Sequence, residues 1–234
     1  MADETIPSIE AILQSTNYLS APDASAKVVQ VGDNFAVKYG RSVDLLEAQN
    51  LNYVISHSKV PVPKLYGTLT EDDTNRKFII MEFVHGQTLA QASPSLSSSE
   101  KQHVADQLRE ALSELRNMSS PGYIGSVDKQ ACADGIFYSP RKVHDPSRFG
   151  PFATEDAMNE GILRMLESTE PAPYVAFLGT LFASTLHGHR TFFTHGDLQP
   201  KNIMVERPET AAHGGSSLKI KIIDWEISGW YPEY

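Results

Sequence analysis

The chain has 234 residues, of which 41% are hydrophobic and 21% charged, enough to bury a substantial core as one large domain or two small lobes. Its formal net charge of −9 is spread over both halves, with 10 basic and 15 acidic side chains in residues 1–118 and 10 and 14 in residues 119–234. An acidic surface without basic clusters argues against nucleic acid or an anionic membrane as the main partner.

The N-terminus, Met1 to Thr5, is acidic and lacks the basic-then-apolar run of a signal peptide. A hairpin is expected next. Ala26–Val31 and Phe35–Tyr39 read as strands, and Gly32-Asp33-Asn34 supplies the turn. Val43–Ser56 has a helical apolar stripe at Leu46, Leu51, Val54 and Ile55. Pro61 and Pro63 then force an extended passage, and Lys77–Val84 is a strongly apolar strand ending at His85-Gly86. Residues 1–86 thus make a small sheet with one helix, and residues 87–234 read as a mainly helical second domain.

Ser97–Met118 opens on a Ser97-x-x-Glu100 capping box and carries Val104, Leu108, Leu112 and Leu115 on one face. Gly122–Pro151 shows no clear period. The single cysteine, Cys132, excludes an internal disulfide, fits a reducing compartment and reads as a packing residue. Thr154 caps a helix running to about Glu167. Tyr174–Leu186 is apolar on most faces, so a buried core helix is expected; it is too short to span a bilayer. The cytoplasm is the expected location. Short strands follow at Ile203–Val205 and Leu218–Ile223, with Pro208–Ser217 between them expected to be exposed and mobile.

The strongest chemical signal lies around those last strands. His195-Gly196-Asp197-Leu198-Gln199-Pro200-Lys201-Asn202 is followed by Ile222-Ile223-Asp224-Trp225-Glu226. Phosphoryl transfer needs one carboxylate near the acceptor's proton and two oxygen ligands for the Mg²⁺ that neutralises phosphates. Asp197 fits the first role; Asn202 and Asp224 fit the second. Five fixed positions at roughly 5% frequency each would arise by chance in about one chain of this length in ten thousand.

The two runs resemble the aminoglycoside phosphotransferase and choline kinase group, small-molecule kinases of protein-kinase-like fold. Gly196 and Trp225-Glu226 depart from the H-R-D and D-F-G patterns of protein kinases. The ending Trp225–Tyr234 is similar to fungal members of the group. The resemblance runs from about Lys27 to Tyr234. It implies an α+β fold with a small antiparallel-sheet N-lobe and a helical C-lobe, ATP and Mg²⁺ as cofactors, and a hydroxyl of a small molecule as acceptor. It makes Lys38 the candidate anchor of the nucleotide α- and β-phosphates, where the residues alone allow a solvated side chain on an edge strand equally well. Glu47 becomes the ion-pair partner of Lys38, and backbone groups of Glu82 and Val84 become candidates to meet the adenine edge.

No Gly-rich phosphate loop is present. The Ser20–Ser25 segment, ending at Ser25, is the candidate substitute, with an ordinary linker as the alternative. His195 reads as a loop-ordering side chain, and His187 and His189 lack metal-site spacing. Glu155, Asp156, Glu160 and Glu226 would suit a cationic acceptor such as an amino sugar or choline-like amine. Two other readings stay open. One is a protein kinase, disfavoured by Gly196, Trp225-Glu226 and the want of an Ala-Pro-Glu segment. The other is a silent nucleotide-binding or interaction module. Because members of the group continue beyond the Gly-Trp-Tyr-Pro-Glu-Tyr segment, a C-terminally short form is expected, with exposed apolar surface beside Trp230 and along the Tyr174–Leu186 helix.

Overall fold

Residues 5–137, 145–207 and 218–234 are described by the structure, a computed structural model. Ser8 caps α1 (Ile9–Gln14) by accepting the Ala11 N–H at 3.2 Å. The expected hairpin follows as β1 (Lys27–Val31) and β2 (Phe35–Gly40), closed by a turn in which Gly32 takes a φ of 59°. After α2 (Leu46–His57) come β3 (Leu65–Glu71) and β4 (Arg76–Glu82), a second antiparallel hairpin turned at Asn75 with φ 54°. The sheet order is β1-β2-β4-β3. β2 and β4 are therefore central, so Lys38, on β2, is not the edge-strand residue that one reading of the sequence allowed.

Alternation along these strands gives the sheet two apolar faces. Val29, Val37, Phe78 and Ile80 pack with Ile12 of α1 on one face. Ile79 packs with Val43 and Ala48 on the other. Lys38 pairs with Ile79 across the ladder, which places it on the α2 side. Two expectations change here. α2 starts at Leu46, with Val43 buried ahead of it, and Ile55 is exposed. α2 buries Glu47, Ala48, Asn50, Leu51 and Val54, so polar residues replace part of the expected apolar stripe.

β5 (Gln87–Thr88) leads into α3 (Leu89–Ala92), held by a capping box between Thr88 and Gln91. α4 (Ser98–Asn117) opens on the predicted box: Glu100 accepts the Ser97 N–H at 2.9 Å, and Ser97 Oγ accepts the Glu100 N–H at 3.3 Å. Val104, Ala111 and Leu115 are its buried residues, while Leu112 is 40% exposed, contrary to the expected stripe. Ala111 takes the i+7 position from Val104 that Leu112 was expected to fill one residue on.

α5 (Pro146–Phe149) and α6 (Glu155–Leu166) follow, the latter capped by Thr154, whose Oγ1 accepts the Ala157 N–H at 3.1 Å. α7 (Ala172–Thr185) holds no buried residue, and Tyr174, Phe177 and Leu181 are 48%, 60% and 41% exposed. The expected buried core helix is thus an exposed one, and its apolar surface is open as the second expectation had it. Trp230, by contrast, is buried. β6 (Thr191–Thr194) pairs with β9 (Gly229–Pro232), and β7 (Ile203–Glu206) with β8 (Lys219–Ile222) and β5. The Pro208–Ser217 loop lies outside the described residues.

Contacts divide the chain into two units. Residues 1–112 and 198–224 form the first, and residues 113–197 and 225–234 the second. The first contains the four-stranded sheet and a second core in which Leu96, Val104, Ile203, Val205 and Ile220 meet. The second is built around Ile124, Cys132, Phe137, Phe152, Met158 and Ile162, with Phe182 of α7 and Tyr231 against them. Within its aperiodic stretch, isolated bridges join Ile124 to Phe152 and Gly125 to Trp230. Cys132 is buried there, and burial pushes its thiol up to about 12.

Candidate active site

In the first unit, the centre of β2 brings Lys38 to α2. The Lys38 ammonium lies 2.7 Å from Glu47 Oε2 and 2.8 Å from Asp224 Oδ1. The Lys38 and Glu47 side chains are only 11% and 3% exposed, against 29% for Asp224. A buried carboxylate on a helix needs a paired cation, and the Lys38–Glu47 contact supplies it. The pairing expected from the sequence is therefore present, and Asp224 joins it as a third member.

β7 and β8 bring Asn202 and Asp224 to one end of their ladder. Ile203 pairs with Ile222, and the next residues outward are joined by the Ile223 N–H donating to the Asn202 carbonyl at 2.9 Å. Asn202 ends a single 3₁₀ turn over Pro200–Asn202, its N–H bonded to the Gln199 carbonyl at 2.8 Å, and it is buried. Asp224 follows Ile223 directly, in a left-handed conformation at φ 68°. A non-glycine residue held there is uncommon outside turns and functional sites. The residue types at this ladder end suit a hard divalent cation, because an amide oxygen and a carboxylate are the ligands such ions prefer. The Glu47 and Asp224 carboxylate oxygens lie within 4.8 Å of each other.

Asp197 belongs to the second unit and is half-buried. Its N–H donates to His195 Nδ1 at 3.3 Å, so His195 orders the loop by hydrogen bonding, as expected. The His195 ring is buried against Trp225 at 4.5 Å, and its carbonyl accepts from Ser228 Oγ at 3.0 Å. Gly196 has φ 84°, and a Cβ there would come within 2.7 Å of the Ile227 carbonyl oxygen. Any larger residue would push the loop off this support.

The remaining candidates are distributed as follows. Ser25 is exposed just before β1, its carbonyl accepting from Ser42 Oγ at 3.0 Å. Glu82 ends β4; its N–H donates to the Lys64 carbonyl at 2.9 Å, its Oε2 accepts the Lys64 N–H at 3.0 Å, and its Oε1 pairs with Lys221. That double engagement with Lys64 and Lys221 was not foreseen. Val84 is buried two residues on, and Lys201 is exposed. In the second unit Glu155 binds His189 through both the ring Nδ1, at 2.6 Å, and the N–H, at 3.0 Å, while Glu160 pairs with Arg164 at 2.9 Å. Among the described residues neither His187 nor His189 belongs to a cluster of potential metal ligands, and no helix is long and apolar enough to cross a membrane.

The sequence profile of the phosphotransferase enzyme family matches residues 21–233. The chain belongs to this family. No curated protein matches it by sequence. Its fold is that of the aminoglycoside phosphotransferases, α+β and protein-kinase-like. A ternary complex of a thermostable mutant of aminoglycoside phosphotransferase APH(4)-Ia with ADP and hygromycin B is similar at TM-score 0.58 and 13% identity, over 95% of this chain and 70% of that one. The streptomycin–ATP ternary complex of APH(2")-IIa gives 0.54 and 16% over 92% and 67%. The GDP complex of aminoglycoside 2'-phosphotransferase-IIIa gives 0.54 and 16% over 94% and 69%. At these identities the likeness speaks for the fold of this phosphotransferase-family chain and not for its substrate.

Proposed function

We propose that this chain is an ATP-dependent phosphotransferase that moves the γ-phosphoryl group to a hydroxyl of a small molecule. One observation carries the reading: a buried Lys38–Glu47 pair whose ammonium also reaches Asp224, beside the Asn202–Ile223 link. A protein with no nucleotide to hold gains little from burying this many charges, since apolar replacements are often as stable.

In this reading Glu47 steers Lys38 to the α- and β-phosphates. The nucleotide phosphates would also meet backbone N–H groups near Ser25, and the adenine edge would meet backbone groups of Glu82 and Val84. The Glu82 N–H is committed to the Lys64 carbonyl, so the part of Glu82 falls to its carbonyl oxygen. Asn202 and Asp224 would hold Mg²⁺, which when bound neutralises phosphate charge. Asp197 orients the acceptor hydroxyl and takes its proton. The acceptor oxygen then forms its bond to the γ-phosphorus as the bond to the bridging oxygen breaks, leaving ADP. Catalysis of this kind is mostly positioning and charge stabilisation. Residues 1–86 would act as the nucleotide lobe and residues 87–234 as the acceptor-side lobe of a cytoplasmic enzyme.

The acceptor class we favour is an amino alcohol or amino sugar, supported by the structural neighbours seen in complex with streptomycin and with hygromycin B. The test is ADP release from ATP across a panel of amino alcohols, sugars and aminoglycosides, with Asp197→Ala as control. Turnover on a responding acceptor should fall about 10²–10⁴-fold in that variant, with ATP affinity near wild type. A folded Asp197→Ala protein that turns over normally defeats the assignment.

A further inference from the structure

We infer that the Lys38 ammonium stands in for the divalent cation, so that the site refuses a free cation until a nucleotide draws Lys38 away from Asp224. The inference rests on the reading of Asn202 and Asp224 as cation-holding residues. Its ground is local. Lys38 Nζ is 2.8 Å from Asp224 Oδ1 and 2.7 Å from Glu47 Oε2, and the oxygens of the two carboxylates lie within 4.8 Å of each other. Both carboxylates contact the same ammonium, so its departure would uncover negative charge on which a cation would settle.

The parts of this arrangement differ in how far they can move. Asp224 is fixed in a left-handed conformation one residue past Ile223, whose N–H is bonded to the Asn202 carbonyl. Glu47 is carried by the buried face of α2. Lys38 has its charge at the tip of a four-carbon stem with freely rotating bonds. The ammonium is therefore the member that can leave. A divalent ion approaching Asp224 in the absence of nucleotide meets that ammonium at contact distance, and like charges repel strongly where water is scarce. A nucleotide's phosphates bring the negative charge that separates the two cations. Lys38 can then exchange Asp224 for a phosphate oxygen while keeping Glu47, and the Asp224 oxygen becomes available. Nucleotide and cation are coupled through one side chain, and the coupling is reciprocal.

Binding of Mn²⁺ to the full chain, read by the electron paramagnetic resonance of the free ion, tests this without any turnover. Wild type should bind Mn²⁺ at least about 10-fold more tightly with saturating ADP than alone, once the Mn²⁺ that the same ADP takes up without protein is subtracted. Lys38→Met and Lys38→Gln, two neutral replacements, should bind Mn²⁺ alone about 10-fold more tightly than wild type, because the standing counter-ion is gone. Lys38→Arg keeps the charge and should bind Mn²⁺ alone as weakly as wild type. Adding Asp224→Asn to Lys38→Met should cancel the gain. Neutral variants that are folded by circular dichroism yet bind free Mn²⁺ no better than wild type would overturn the inference, as would a wild type indifferent to ADP while binding both. The arm without nucleotide separates this idea from the proposed function. A chain that binds no ADP defeats the phosphotransferase reading, while the Mn²⁺ response of the neutral variants still judges Lys38.

Discussion

Helices α2 and α7 invert the simplest rule of burial. α2 reads LEAQNLNYVISH and buries a glutamate, an asparagine, an alanine and two aliphatic residues. α7 reads APYVAFLGTLFAST, has no charged residue, and buries none of its side chains. Apolar content therefore ranks these two helices in the wrong order. What decides is the partner each element finds. α2 lies against the face of a central sheet, next to Ile79 and Lys38, so whatever it points inward is buried. α7 touches its core chiefly through Phe182, and the face bearing Tyr174, Phe177 and Leu181 stays open. The buried polar positions of α2 carry the ion pair, so the helix with lower apolar content is the one that supplies a buried charge.

The sharpest way to break this comparison is to truncate an aliphatic residue on each helix. Leu51 is fully buried on α2, and Leu51→Ala should lower stability by about 2–5 kcal/mol, the usual cost of a large-to-small change in a core. Leu181→Ala on α7 should move it by no more than about 0.5 kcal/mol. Urea unfolding of both variants decides. Equal losses would mean that α7 is covered in solution. A second change sharpens the α2 half. Glu47→Gln keeps the shape but removes the charge that steers Lys38, so nucleotide affinity should fall about 10-fold, or about 1.4 kcal/mol, as read by calorimetric titration. Wild-type affinity in that variant would make Glu47 a structural residue only. On the α7 half, Phe177→Ser should leave the unfolding free energy in urea within about 0.5 kcal/mol of wild type while lowering binding of a hydrophobic dye.

The same two helices show what the sequence could reveal. The hairpin of β1 and β2, the box opening α4 and the Thr154 cap are local signals, and each was legible from neighbouring residues. The Lys38–Glu47 pair was legible only through the family resemblance, because a lysine in a strand and a glutamate in a helix do not announce that they meet. β3 was missed because Gly67 and three polar residues among its seven weaken the alternation, and its register shifts at Gly67. The pairing of β6 with β9 joins Phe193 to Trp230, 37 positions apart, which no local pattern encodes. The exposure of α7 was unreadable for the same reason: burial depends on partners brought by the rest of the chain. The half-turn at Asp224, with φ 68°, likewise has no signature in the residue type.

The smallest expected effect comes from α4, which separates capping from burial. Its first-turn Glu100 sits at the exposed end of a helix whose buried face is apolar. The Ser97 N–H, then the Ser97 hydroxyl and the Arg207 guanidinium, hold the Glu100 carboxyl down to about 2 from its ordinary 4.5. A carboxyl whose value is lower in the folded chain favours folding only while it is ionised. Its contribution is complete above the unfolded value of 4.5 and is lost as pH falls through the folded value of about 2. Glu100→Gln keeps the side-chain oxygen but removes the charge. The variant should be less stable than wild type at neutral pH, and the difference should shrink steadily between pH 4.5 and 2 and vanish below it. Thermal unfolding of both proteins across that range reads it directly. A difference that stays constant with pH would mean that Glu100 stabilises α4 by shape and hydrogen bonding alone, with its charge screened by water.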